Sequence, residues 1–159
     1  MSRLAWLGIA FIALGSAAQA GQRYVWNTYL PGESVAYGVP DTDDRSFRVD
    51  CAKAGGLEIS GPSGVEGGRT SVVFKVNGQR ITRRAHVYVG DVPQFVVSAG
   101  YDDPVIVGLL AGHDLSIRER GDEWRVPGAG AARVLKPLIA ACMRKQGRAP
   151  QARPRPGAA

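Results

Sequence analysis

Between Arg23 and Val126, apolar and polar residues alternate in short runs broken by glycine, proline, asparagine and aspartate. A period of two puts every second side chain on one face of a strand. Turn residues at this spacing point to an antiparallel β-sandwich or small barrel. Nine strands are expected: Arg23–Tyr29, Ser34–Tyr37, Phe47–Cys51, Leu57–Ser60, Thr70–Val76, Gln79–Val89, Phe95–Ala99, Leu115–Glu119 and Glu123–Val126. The stretch SGPSGVEGGR, from Ser60 to Arg69, reads as a glycine-rich loop with no element of its own.

The sharpest turn signal is Asn77-Gly78, between SVVFKV and QRITRRAHVYV. Both residues tolerate the positive φ that a two-residue type I′ hairpin requires. Such a turn fixes the register, placing Val76 opposite Gln79, Phe74 opposite Ile81 on the inner side and Lys75 opposite Arg80 on the outer side. Ser71 then faces Arg84, and Arg69 faces His86. Arg83 is the awkward inner member, which implies a bulge or a side chain reaching past the sheet edge. Gly121-Asp122 reads as a second turn, with glycine at the first central position of type II′.

Two segments break the alternation. Asp103 is suited to cap a helix that starts at Pro104, where the missing N–H costs nothing, and Gly112 is suited to end it. From about Ala131 to Gln146, spacings of three and four set Val134, Leu135, Leu138, Ile139 and Cys142 on one helical face. The expected fold is therefore mainly β, with a short inserted helix and a C-terminal helix.

The chain opens on Met1-Ser2-Arg3, then LAWLGIAFIALG, then SAAQA, the charged, apolar and small-residue order of a secretory leader. Residues 1–20 are expected to be removed. The apolar run is shorter than the roughly twenty residues needed to cross a bilayer, so no transmembrane segment is expected in the mature form. The remainder divides into one β-rich domain, 21–146, and a proline- and arginine-rich tail, 147–159, that reads as disordered.

Charge is uneven. The chain holds 20 Lys and Arg against 14 Asp and Glu. Arg3 lies in the leader, and Arg144, Lys145, Arg148, Arg153 and Arg155 cluster at the end. Residues 21–143 are balanced, so the basicity belongs to the tail and specific nucleic-acid binding is not expected.

Cys51 and Cys142 are the only cysteines. Alternation puts Cys51 with Phe47 and Val49, and helical spacing puts Cys142 with Leu135 and Leu138, so both thiols aim inward. With an oxidising compartment and an even count, one disulfide is expected, closed within the core.

Candidate chemistry is thin. YGVPDTDDRS, Tyr37–Ser46, gathers Asp41, Asp43 and Asp44. Calcium needs oxygen ligands spread over about a dozen residues with a closing acid, and Arg45, Ser46, Phe47 and Arg48 follow instead. A turn is expected, its aspartates bonding nearby N–H groups with Arg45 and Arg48 as counter-charges; a ligand contact or catalytic acid is the other reading. VPGAGAAR, Val126–Arg133, is a partial dinucleotide fingerprint without a parallel βαβ setting, and Gly128 and Gly130 read as a tight entry to the last helix. His86 and His113, the only histidines, lack zinc-ligand spacing, so neither a metal nor a cofactor is expected.

The stretch Tyr37-Gly38-x-Pro40-x-Thr42-Asp43 before Cys51, with the β-rich body and late helical cysteine, resembles a set of small exported bacterial proteins of unknown function. The resemblance implies an envelope location and no activity.

The outer hairpin face collects Arg69, Lys75, Arg80 and Arg84, with His86 and Tyr88 further along. Like charges across a ladder oppose pairing, so an anionic neighbour is needed. It is either an adjacent strand carrying Asp50 or Glu58, or an anionic envelope ligand such as a lipid phosphate, an acidic glycan or a protein patch. The chain is accordingly expected to be a non-catalytic periplasmic or secreted binding protein whose partner is an envelope component or another protein. The alternatives are a small hydrolase using loop Asp and His residues, and a hydrolase inhibitor. A pocket holding His113 with Asp43 or Asp44 favours the hydrolase.

Overall fold

The computed structural model describes residues 23–147. The expected leader and most of the expected tail lie outside the described residues. Nine strands form: β1 (Val25–Leu30), β2 (Ser34–Gly38), β3 (Arg45–Cys51), β4 (Leu57–Pro62), β5 (Gly68–Val76), β6 (Gln79–Tyr88), β7 (Gln94–Ala99), β8 (Leu115–Glu119) and β9 (Asp122–Val126). They make one antiparallel sheet in the order β1-β2-β3-β4-β7-β6-β5-β8-β9, curled into a half-barrel. Helix α1 (Pro104–Leu110) lies between β7 and β8, and α2 (Ala131–Gly147) closes the described chain.

The curl follows from which faces are apolar. Alternate residues of nearly every strand point into one concave core containing Phe47, Phe74, Phe95, Leu57, Ile59 and Ile117, all buried. Phe74 and Phe95 meet edge-on with centroids 6.3 Å apart, and Trp124 lies against Phe95 at 6.1 Å. Two indoles bind the ends of the sheet together. Trp26 of β1 donates to the carbonyl of Pro127 just after β9 (2.6 Å), and Trp124 of β9 donates to the carbonyl of Ser46 in β3 (3.2 Å).

The Asn77-Gly78 hairpin has the expected register over its whole length, from Val76 opposite Gln79 to Arg69 opposite His86. Both turn residues have positive φ, 46° and 74°. Arg83 makes no bulge. Its guanidinium instead reaches Asp103 (3.2 Å), which also accepts from the Val105 N–H (2.9 Å), so one carboxylate caps α1 and neutralises an inward-facing arginine. Gly112, at φ 85°, follows the end of α1.

Three local expectations are corrected. The second turn is centred on Arg120-Gly121, at φ 48° and 111°, one residue earlier than expected. Leu115, Ile117 and Glu119 all face inward and β8 ends at Glu119 as expected, but β9 begins one residue early, at Asp122, which pairs with Glu119 and leaves Arg120-Gly121 as the turn. Buried Glu119 accepts from the Ser63 hydroxyl (2.9 Å) and the Gly64 N–H (3.0 Å), which satisfies its carboxylate. The glycine-rich loop is shorter than expected, because Gly61 and Pro62 extend β4 and Gly68 begins β5. Gly61 pairs with Phe95, and a Cβ there would meet the Phe95 ring at 2.9 Å; the missing side chain makes room for the ring.

The third correction concerns the disulfide. Cys51 and Cys142 are bonded, with Cα atoms 5.4 Å apart, and Cys142 is fully buried. Cys51 is only half-buried. It is the last residue of β3, where the strand leaves the core, so the bond sits at the core's border.

Candidate anionic-ligand face

The convex face of β5 and β6 is built by the period-two alternation that fills the core. With Phe74 and Val76 inside, Arg69 and Lys75 must stand outside; with Ala85 and Val87 inside, so must Arg80, Arg84, His86 and Tyr88. Lys75 lies directly opposite Arg80, and Arg69 opposite His86. The face continues onto β8 and β9 through Arg118 and Arg125, since Val73 pairs with Arg118 and Ser116 with Arg125.

The expected anionic neighbour is neither Asp50 nor Glu58. Those residues face each other across β3 and β4, and Asp50 is held by Arg48 (2.8 Å). Strand β7 separates them from β6 and pairs with it only at His86, Val87 and Tyr88, while pairing with β4 along its whole length. Beyond His86 the strands part, and among the described residues no ladder partner flanks Arg80 to Arg84 on that side. The acid that reaches the cluster is Glu123 of β9. It accepts from the Ser116 hydroxyl (2.6 Å) and from Arg118 (2.6 Å), and its field extends to Lys75.

These contacts, the Ser116 hydroxyl first and Arg118 next, hold the Glu123 carboxyl down to about 2 from an ordinary 4.5. A depressed folded-state pKa gives stability that is present above the unfolded value and lost as pH falls toward the folded one. Between pH 4.5 and 2, the wild-type urea midpoint therefore falls more steeply than that of Glu123→Gln, and the two curves converge near pH 2. Parallel curves would show that the contact does not hold in solution.

Glu123 leaves most of the face uncompensated. Among the described residues, no carboxylate lies within 4 Å of Arg69, Lys75, Arg80 or Arg84. Arg69, Arg84, Ala85 and His86 line a cleft of about 200 Å³. His86 Nδ1 is 3.1 Å from the Gly68 carbonyl, and the His86 ring meets Tyr88 edge-on at 5.6 Å.

Other candidate residues are scattered. Pro40-Asp41 does form a turn, with Asp41 at φ 60°. The aspartates do not bond the local N–H groups, as expected of them; the Thr42 hydroxyl does, donating to Val39 O (2.9 Å) and accepting from Asp44 N–H (3.1 Å). Asp43 pairs with Arg45 (2.9 Å), Asp44 accepts from the Tyr24 hydroxyl, and Arg48 is engaged elsewhere. Arg45 also stacks over Tyr29 at 3.5 Å. Two separate partners draw the Asp43 and Asp44 side chains apart. Among the described residues, no three His, Cys, Asp or Glu side chains come together as metal ligands do.

His113 lies beside Asp102 and Val107 in a cavity of about 290 Å³, whereas Asp41 and Asp43 line a different one of about 450 Å³. The pairing that would favour a hydrolase is not formed. Asp114 accepts from the Gly128 N–H (3.0 Å), a tether for the entry to α2. A cavity of about 570 Å³ opens beside the disulfide, lined by Glu33, Lys53, Lys145 and Gln146. No spacing of residue types signals it, because it arises where three separate chain segments meet.

Among the described residues, no helix is long and apolar enough to cross a membrane. Comparison with protein-family models, with characterised proteins and with solved structures returns no match.

Proposed function

We propose that the chain is a non-catalytic binding protein of the bacterial envelope, periplasmic or secreted, which takes an anionic ligand on the convex face of β5 and β6. The observation that carries this reading is the row Arg69, Lys75, Arg80 and Arg84, which has no carboxylate within 4 Å among the described residues. Cations fixed on a rigid hairpin form an attractive field without any cost of ordering the backbone on binding. The Cys51–Cys142 bond suits an oxidising compartment. The leader-like start and the resemblance in Tyr37–Asp43 favour the same location.

Binding of inorganic polyphosphate and retention on a sulfonated resin at low salt test the reading. With Arg80→Glu and Arg84→Glu together, polyphosphate affinity falls at least about tenfold, equivalent to about 1.4 kcal/mol, and elution moves to lower salt. Both variant and wild type carry the same basic tail, so the difference reports the hairpin. A folded double variant that binds and elutes like wild type would reduce the row to a solvated surface.

A further inference from the structure

The cation row ends in an apolar tip. Tyr88, Val89 and Val92 are 60%, 73% and 60% exposed, although they lie within five residues of one another. The tip belongs to the loop Val89-Gly90-Asp91-Val92-Pro93 that joins β6 to β7. It is held at its base, where Tyr88 pairs with Gln94 and the Pro93 carbonyl accepts from the Ser63 N–H (2.8 Å). Nothing in the fold requires three large apolar side chains there, since no core position lies between Val87 and Phe95. Three exposed apolar side chains within five residues at a braced loop mark a surface that meets another apolar phase.

Tyr88 lies on the same outer face as Arg84 and His86, so tip and cations form one continuous surface. At roughly 3.3 Å per residue, His86 and the Arg69 opposite it stand about 10 Å along the strand from Val89, and Arg84 about 17 Å. That order, apolar first and cationic behind, matches the order of a bilayer approached from hydrocarbon to headgroup to solvent, with an interfacial zone on the order of 5–10 Å deep. A soluble polyanion offers nothing to Val89 and Val92. A protein partner needs a buried patch of roughly 800 Å² on each side, more than three side chains on a protruding loop provide.

We propose that the anionic ligand of this face is the surface of a lipid bilayer carrying anionic headgroups, with Val89 and Val92 entering the acyl boundary while Arg69 faces the headgroup phosphates and Arg84 and Arg80, farther back along the strand, are drawn by the field of the anionic surface at low salt. The inference rests on the proposed role of the cation row and names its ligand. Stable peripheral attachment takes two signals, an apolar one and an electrostatic one, and the hairpin supplies both. Asp91 within the loop and Glu66 in the neighbouring loop are exposed and oppose the approach, so the attachment is weak and salt-sensitive.

The test is co-sedimentation of the protein starting at Gly21, tail included, with vesicles of phosphatidylglycerol and phosphatidylcholine against phosphatidylcholine alone at low salt. Wild type binds the anionic vesicles at least about tenfold better. Val89→Ser with Val92→Ser, which leaves the charge unchanged, lowers that binding about tenfold yet leaves polyphosphate affinity as in wild type. Arg80→Glu with Arg84→Glu lowers both, and Asp91→Asn raises vesicle binding severalfold. A serine variant that sediments like wild type overturns the inference, as does an Asp91→Asn variant that binds less. Wild type that takes polyphosphate but ignores anionic vesicles also overturns it, while leaving the cation row as a site for a soluble or proteinaceous anion. If wild type takes neither, both readings fall.

Discussion

Replacing Cys51 and Cys142 with alanine lowers the unfolding free energy by roughly 4.6 kcal/mol, the loop-closure entropy of the 91-residue separation. For a domain of this size that corresponds to a melting temperature lower by about 10–18 °C. The bond fastens the end of β3 to α2, two elements that otherwise share few contacts, so no ladder compensates for its loss. Urea unfolding of the double variant, beside reduced and oxidised wild type, gives the number. The variant should match reduced wild type, and its urea dependence should steepen because the unfolded chain is no longer looped. A loss below about 1 kcal/mol would mean that core packing alone holds α2 in place.

Gly128→Ala is expected to be nearly as damaging, costing about 3 kcal/mol or more, for a different reason. A Cβ at this position would overlap the carbonyl oxygen of His113 and the carbonyl group of Gly112, which are backbone atoms with no rotamer to escape through. The segment is pinned on both sides. Trp26 donates to Pro127 O and Asp114 accepts from the Gly128 N–H, so it cannot move aside without losing a part-buried bond. Gly130→Ala should cost less, about 1–2 kcal/mol, since its demand is only a positive φ of 86°, with the Trp26 ring at an ordinary contact distance. Thermal melts of the two variants rank the effects. The reverse order would show that the crowding at Gly128 relaxes.

Elements that depend on near neighbours could be read in the sequence, and contacts that depend on the curl could not. The type I′ turn needed only Asn77 and Gly78, and the cap of α1 needed only Asp103 and Pro104; both stand as the local chemistry dictates. The disulfide partners followed from two periodicities. The ionic surroundings of the hairpin did not, because they depend on strand order. Glu123 neighbours Lys75 only since β8 and β9 add to the β5 side, and Glu58 is remote only since β7 intervenes. The turn at Arg120-Gly121 was misplaced by one residue for a related reason. Asp122 joins β9 opposite Glu119, whose carboxylate is held by Ser63 and Gly64, more than fifty residues away. Trp26 and Trp124 carried no signal of their seam-closing role beyond being large and apolar.

The strand order has a consequence for how the chain acquires its shape. Six of the eight ladders join strands that are consecutive in the chain and can zip from their turns on the microsecond scale of isolated hairpins. The other two, β4 with β7 and β5 with β8, span the β5–β6–β7 meander and must wait for it. Their loop entropy is lost before any contact is made, so they should set the refolding rate. A nascent chain can therefore prepare β1 to β4 as one meander and β5 to β7 as a second, each with an open edge, and until β4 meets β7 the molecule is two unjoined sheets. The interval before that meeting is its most aggregation-prone moment, when the exposed edges of β4 and β7 can pair with another copy as readily as with each other.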